Sequence, residues 1–249
     1  MKLDFTGKTV LITGATRGIG KQLADDFALL GASLILTGTD KKKIDELNKD
    51  AKAKRLKRSY YAVDFSDAKS TSNFLKTLEK IEQIDVCINN AGINRLNLIE
   101  DALEKDWDDI TTVNLKAPFM VIHSIAKTMK KNGYGRIINI GSILGKVSRP
   151  KRSVYSVTKF GIHGLTMAVS LELARFGILV NTVSPGFILT DLTRKNLTDA
   201  ERTQLAKEIP VGRLGTPEDI SRVVIFLASD LNTYLTGKNI VVDGGFIDA

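Results

Sequence analysis

Tyr155 and Lys159 stand four positions apart in Tyr155-Ser-Val-Thr-Lys159, inside a segment whose apolar spacing continues through Leu165, Val169 and Leu173. On a helix that spacing puts both side chains on one face. A tyrosine hydroxyl titrates near pH ~10 in water, and a nearby ammonium is one means of bringing it toward a value useful for proton transfer. Ser142 lies thirteen residues earlier, in Asn139-Ile-Gly-Ser142 at the end of an expected strand, where its hydroxyl can hydrogen-bond a substrate oxygen beside the tyrosine. Asn114, in Val113-Asn-Leu115, can anchor a water or a helix kink near the lysine, or be a plain polar substitution on a helix. A Y-x-x-x-K pair alone is more often structural. With Ser142 and Asn114 it points to acid–base work on a substrate oxygen.

A second group of residues suits phosphate. Thr13-Gly-Ala-Thr-Arg-Gly-Ile-Gly20 places glycines at 14, 18 and 20 directly after an apolar run, with a helix expected to begin inside it. Such glycines permit a tight turn, a close backbone approach and close packing of helix on strand, and the helix N-terminus offers free N–H groups to a pyrophosphate. The spacing is G-x-x-x-G-x-G, not the usual dinucleotide fingerprint G-x-G-x-x-G, so a glycine turn without ligand stays open at this point. Asp64, after an expected strand, can accept a hydrogen bond from an adenine amino group. Asn89-Asn-Ala-Gly92 ends another strand, where small and amide side chains either line the crevice of an open α/β sheet or make a turn.

These residues need a rigid frame. Thr9–Thr13, Ser33–Thr37, Tyr60–Val63, Ile84–Ile88, Arg136–Ile140, Ile178–Val183 and Asn239–Val242 read as strands, separated by segments with helical spacing such as Ile19, Leu23, Phe27 and Leu30. Near-continuous apolar strands joined by crossover helices make a buried parallel sheet. The expected fold is therefore α/β, a doubly wound Rossmann sheet of about seven parallel strands with helices on both faces. No linker or repeat divides the chain, so residues 1–249 are expected to form one catalytic domain. Its longest irregular segment, about 187–214, contains a possible helix capped near Thr198.

The chain has 249 residues, 43% hydrophobic and 26% charged, which fits a globular protein and excludes disorder or collagen-like repetition. Cys87 is the single cysteine, expected to be buried in a strand, and only His123 and His163 could join it. No disulfide, structural zinc or other metal site is expected. The N-terminal sequence lacks a signal-peptide pattern and no apolar run reaches the ~18–20 residues of a membrane span, so the expectation is a cytoplasmic protein without a membrane partner. The net charge of +8 favours acidic partners. Its densest basic run, Ala51–Arg58, closes an expected helix where cations complement the dipole, and no nucleic-acid motif accompanies it, so no nucleic acid is expected as partner. Trp107 is expected to pack a helix or, failing that, to rim the substrate cleft.

Taken together, Thr13–Gly20, Asn89-Asn-Ala-Gly92, Asn114, Ser142, Tyr155 with Lys159, Ser184-Pro-Gly186 and Val242-Asp-Gly-Gly245 resemble, in order and over essentially the whole chain, the short-chain dehydrogenase/reductase family. Each motif is modest; the ordered set is specific. The resemblance implies that Tyr155 is the general acid/base, Ser142 orients the carbonyl or alcohol, Lys159 holds the nicotinamide ribose and lowers the tyrosine pKa, and Asn114 supports a proton relay. It implies a nicotinamide cofactor on Gly14, Thr16, Arg17, Gly18, Ile19, Gly20, Thr39, Asp64, Asn90, Ala91, Gly92, Tyr155 and Lys159, with Pro185, Gly186, Ile188 and Thr190 beside the nicotinamide. The segment 187–214 would cover substrate. A homotetramer is implied too, with helices near 101–131 and 153–176 pairing across one interface.

In the family an acidic residue at the end of the second strand selects NAD. Here Gly38 takes that place, and Arg17 and Thr39 suit a 2′-phosphate, so NADP is preferred and NAD is the alternative. Within the family the chain looks most like 3-oxoacyl-[acyl-carrier-protein] reductases, through Ser184–Thr193 and Arg213–Glu218. Ser148-Arg-Pro-Lys-Arg152 is either a solvent-facing loop or a source of cations at the expected mouth of the site, which would suit an anionic substrate, small or carrier-bound. Phe176 stands where that subgroup often carries a basic docking residue. The alternatives are therefore a reductase of an anionic sugar or other specialised intermediate and, below it, a non-catalytic NADP-binding regulator.

Overall fold

The computed structural model describes residues 3–190, 193–194 and 197–248. Seven strands form one parallel sheet in the order β3-β2-β1-β4-β5-β6-β7. They are β1 (Thr9–Ile12), β2 (Ser33–Gly38), β3 (Arg58–Ala62), β4 (Val86–Asn89), β5 (Gly135–Ile140), β6 (Ile178–Pro185) and β7 (Asn239–Val242). β1 pairs with β2 from Thr9↔Ser33 and with β4 from Val10↔Val86, so the chain order reverses between β1 and β4. In open α/β sheets that reversal leaves a crevice at the strand C-termini.

The helices are α1 (Gly18–Leu29), α2 (Lys41–Ala53), α3 (Ala68–Leu78), α4 (Glu104–Thr111), α5 (Ala117–Asn132), α6 (Ser153–Leu173), α7 (Asp199–Lys207) and α8 (Pro217–Ala228). Strand alternation divides the apolar residues between two cores. Val10 and Ile12 of β1, with Val86 and Ile88 of β4, face Leu23, Phe27 and Val224 of α1 and α8. Leu11, Cys87 and Ile137 face the opposite core, with Phe74, Val121, Ile125 and Met129 of α3 and α5. Phe27 is fully buried and meets Phe5 edge-to-face at 4.8 Å. Truncating such a side chain to alanine costs about 3–5 kcal/mol, so these layers hold the strand ends rigidly.

The helix starts differ in a telling way. Asp40, Asp67, Thr198 and Thr216 each accept a backbone N–H at the start of α2, α3, α7 and α8. Arg17, Lys116 and Arg152, at the starts of α1, α5 and α6, provide no side-chain cap. The first N–H groups of α1 are left for another acceptor. Some expectations shift: β4 begins at Val86, two residues after the expected Ile84, β6 runs on to Pro185, and β3 begins at Arg58, two residues before its expected start, because it pairs along β2 from Leu34↔Arg58. Trp107 does not pack inward; it is 48% exposed, since the buried face of α4 is taken by Asp106 and Ile110. The helix expected at Thr198 is present as α7. Of the 187–214 segment, Asp191, Leu192, Lys195 and Asn196 lie outside the described residues.

Candidate active site

The crevice at the β1/β4 reversal is an open cleft of about 270 Å³. Gly14, Thr16, Arg17, Gly18, Ile19 and Gly20 form one wall, Thr39 and Asp64 the far end, Asn90, Ala91 and Gly92 the opposite wall, and Thr190 closes over it. The glycines are there for close approach. A Cβ on Gly20 would lie 2.2 Å from the Gly14 carbonyl oxygen, and one on Gly14 would lie 2.9 Å from Ala91 Cα, with Gly14 already at φ +66°. The two walls are tied together, since Asn90 Nδ2 donates to the Thr13 and Gly14 carbonyls, both at 2.9 Å. Thr13 Oγ1 accepts from the backbone N–H of Asn90 and Ala91.

An uncapped helix N-terminus, an exposed Arg17 beside it and a glycine wall fit a dinucleotide's phosphates. Gly38 is the last residue of β2 and lines the cleft, and a Cβ there would lie 2.4 Å from Thr16 Cγ2. Asp64 receives Ser66 N–H and hydroxyl bonds at 2.9 and 2.7 Å on one oxygen. Its other oxygen has no recorded bond. Thr37, Val63, Phe65, Ile93 and Val113 also line the cleft and were not singled out from the sequence. Thr37 Oγ1 accepts the Gly14 N–H at 3.0 Å; its one sequence signal is a hydroxyl near a strand's C-terminal end.

At the inner end of the cleft the four acid–base candidates meet. Residues Thr112–Lys116 form a π-helical turn between α4 and α5, and Asn114 is buried in it. Its Oδ1 accepts the Ile93 N–H at 2.8 Å while its Nδ2 donates to the Ile93 carbonyl at 2.9 Å and to Thr158 Oγ1 at 3.2 Å. Asn114 thus joins the widened helix to the segment after Gly92 and to α6. A Cβ on Gly92 would sit 3.4 Å from Asn114 Oδ1 and 3.9 Å from Lys159 Nζ, so the nucleotide wall and the lysine are neighbours.

Lys159 is buried and donates to the Ile140 carbonyl at the end of β5, at 2.8 Å. Burial pushes its pKa down to about 8. Its Nζ lies 5.5 Å from the Tyr155 ring centre. Contrary to the expectation that Lys159 lowers it, the Tyr155 hydroxyl lies above its ordinary value because of burial, opposed by a hydrogen bond from Ser142 and by the charge of Arg152, with no contribution from Lys159. Ser142 follows β5 and opens a single 3₁₀ turn, its Oγ accepting the Leu144 N–H at 3.1 Å. Gly145 ends that turn against α6, where a Cβ would lie 2.3 Å from the Lys159 carbonyl oxygen. This contact lets Ser142 and Tyr155 face each other.

Thr190 lines the cleft, whereas Pro185, Gly186 and Ile188, expected beside the same cofactor, do not. Pro185 ends β6, paired with Val242, and the Gly186 N–H donates to the Val242 carbonyl at 3.0 Å. Ile188 bridges to Gly215, is 8% exposed and lines a neighbouring cavity with Phe187 and Val211. Arg149, from the basic segment before α6, stacks on Phe187 and Phe246 at 4.9 and 5.0 Å and meets Glu208 at 3.3 Å. Among the described residues no group of three His, Cys, Asp or Glu is placed to hold a metal, and no helix is long and apolar enough to cross a membrane.

A family model described as enoyl-(acyl carrier protein) reductase matches residues 14–247. The 3-oxoacyl-[acyl-carrier-protein] reductase FabG of Thermotoga maritima is 40% identical over 248 residues, spanning 99% of this chain and 100% of that protein. FabG of Rickettsia conorii is 38% identical over 245 residues, spanning 98% and 99%. Among solved structures, a gluconate 5-dehydrogenase from Burkholderia cenocepacia in complex with NADP and tartrate aligns with a TM-score of 0.91 at 31% identity, covering 99% of this chain and 98% of that one.

Proposed function

The chain belongs to the short-chain dehydrogenase/reductase family, and from that premise we propose that it interconverts a carbonyl and an alcohol with NADP(H), 3-oxoacyl thioester reduction being the leading reaction. The observation that carries this is the meeting of Asn114, Ser142, Tyr155 and Lys159 at the inner end of a cleft whose walls suit a dinucleotide. Residues 1–249 act as one domain in this reading, with 187–214 over the substrate.

NADP(H), when bound, supplies or accepts the hydride. Gly14, Thr16, Gly18, Ile19 and Gly20 hold its phosphates, Arg17 and Thr39 its 2′-phosphate, and Asp64 the adenine amino group. Asn90, Ala91, Gly92, Pro185, Gly186, Ile188 and Thr190 flank the rest. Gly38 contributes no carboxylate to repel a 2′-phosphate, which favours NADP, with NAD second. Tyr155 gives its hydroxyl proton to the carbonyl oxygen during reduction and takes it back during oxidation. Its raised pKa keeps it protonated near neutral pH, the form that reduction needs. Ser142 donates to the same oxygen, Lys159 steadies the ribose, and Asn114 holds the backbone around them.

The second reading is reduction or oxidation of an anionic sugar or related acid, favoured by Arg152 close to Tyr155. The NADP- and tartrate-bound gluconate 5-dehydrogenase is a structural relative that fits it. A homotetramer is part of the proposal. Val157, Phe160, Gly164, Met167 and Leu171 of α6 are exposed at three- and four-residue spacing, the pattern of a helix that packs against another. A cytoplasmic setting accompanies it, in keeping with the lone buried Cys87.

The test is NADPH oxidation, compared with NADH, against an acetoacetyl thioester and carboxylated or phosphorylated keto-sugars, with Tyr155→Phe as control. Turnover is expected to fall by ~10²–10⁴-fold in the variant, with NADPH fluorescence still reporting binding. Turnover that survives Tyr155→Phe would overturn the assignment.

A further inference from the structure

Arg152 is the N-cap residue of α6, one turn before Tyr155, and its side chain makes no cap bond. Four arginines among the described residues are buried or half-buried: Arg58, Arg136, Arg152 and Arg202. Arg58 pairs with Asp25 at 2.9 Å, Arg136 donates to the Gly177 and Asn232 carbonyls, and Arg202 pairs with Asp199 and donates to the Leu197 carbonyl. Arg152 alone of the four has no hydrogen bond or ion pair among the described residues.

Arg152 is partly exposed and none of its nitrogens is sealed from solvent, so its guanidinium can meet an incoming anion. Burial lowers the Arg152 pKa, the charge of Arg149 lowers it further, and only Tyr155 acts in its favour. The other cations of this segment are occupied or turned outward. Arg149 is held by Glu208, Phe187 and Phe246, Lys151 is exposed, and the charge of Lys146 bears on His163. Arg152 is therefore the one uncommitted charge beside the reacting hydroxyl.

We propose that Arg152 binds an anionic group of the substrate, and that the substrate is a keto acid or hydroxy acid whose carboxylate lies a few bonds from the carbonyl or alcohol carbon served by Tyr155. This rests on the oxidoreductase reading above and, because a 3-oxoacyl thioester has no free carboxylate beside its carbonyl, it favours the second substrate class of that reading over the thioester. A planar guanidinium matches a carboxylate in two parallel hydrogen bonds, and one uncommitted charge matches its single negative charge better than the nearly two of a phosphoryl group. In reduction the carbonyl carbon gains a hydride from NADPH, leaving NADP⁺. The C=O π pair becomes the O–H bond with the Tyr155 proton, which solvent replaces. The carboxylate stays charged on Arg152 throughout.

The test is calorimetric binding of malonate, with malonamide as its neutral counterpart, to the NADP⁺-loaded wild type, Arg152→Gln and Arg152→Lys. Malonate binding is expected to weaken by roughly 10- to 100-fold in Arg152→Gln and to recover in part in Arg152→Lys. Malonamide should discriminate far less between the three proteins. In parallel, the ratio of kcat/KM for acetoacetate over methyl acetoacetate should fall by a similar factor in Arg152→Gln. Equal malonate binding by wild type and Arg152→Gln overturns the subsite even if the ester is reduced, in which case the oxidoreductase reading stands. Inorganic phosphate binding more tightly than malonate overturns the carboxylate assignment. Malonate discrimination without turnover of any carbonyl compound supports the anion subsite and counts against the oxidoreductase reading instead.

Discussion

Lys159 offers a direct trial of the reasoning, because its burial should work against stability while its charge serves the site. The side chain is 5% exposed and its ammonium has one described hydrogen-bond partner, the Ile140 carbonyl at 2.8 Å. Burial takes its pKa from 10.5 down to about 8. At ~1.36 kcal/mol per unit, holding the charge at pH 7 costs the folded state about 3 kcal/mol. The unfolded chain keeps this proton up to about pH 10.5 and the folded chain releases it near 8. Between those values the unfolded state binds more protons, so stability rises with pH; below 8 the penalty is present in full. Lys159→Met keeps a long unbranched side chain without the charge. Losing the bond to Ile140 returns about 1–3 kcal/mol of that gain, so the net stabilisation at pH 7 is about 1 kcal/mol. The sharper reading is the difference between the two proteins across pH. Urea denaturation at several pH values from 7 to 10.5 should show wild type gaining about 3 kcal/mol on the variant, while turnover by the variant is lost. A difference that is flat, or that falls with pH, would refute the claim that Lys159 is held charged against its burial.

Gly38→Asp should reverse cofactor preference, since its carboxylate would repel a 2′-phosphate and accept ribose hydroxyls. A Cβ there meets Thr16 at 2.4 Å, so the change is best made with Thr16→Ala. The NADPH:NADH ratio of kcat/KM should fall by roughly 100-fold, and an unchanged ratio would place selection elsewhere. Asn114→Ala strands the Ile93 N–H and carbonyl that Asn114 now satisfies at 2.8 and 2.9 Å. Its urea midpoint should report a loss of about 2–3 kcal/mol together with reduced turnover. Stability within about 0.5 kcal/mol of wild type would show that water replaces the side chain.

Much of the frame was legible because buried parallel strands announce themselves. Val10-Leu-Ile12 and Ile137-Ile138 are apolar on both faces, since α1 and α8 cover one side and α3 and α5 the other. β3 was harder to place. It is an edge strand whose residues are partly exposed, and its start is set by pairing with β2, not by its own hydrophobicity. The 101–131 segment reads as one helix, yet it is a 3₁₀ turn at Ile99–Asp101, α4, a π-turn and α5. An extra residue in a helical turn leaves the apolar spacing almost intact, so periodicity does not register it.

Residue types and their order were readable along the chain: a glycine turn after the first strand, a tyrosine and lysine one helical turn apart, a serine at a strand end, and no carboxylate at Gly38. Those properties follow from local spacing, which short-range geometry preserves. Tertiary structure alone decided which charges are free. Arg149 and Arg152 are near neighbours in one basic run, yet Arg149 is claimed by Glu208, Phe187 and Phe246 from distant parts of the chain, while Arg152, one turn before Tyr155, has no partner among the described residues. Burial and pairing depend on residues brought together from across the chain, and so do the site's charges and proton affinities.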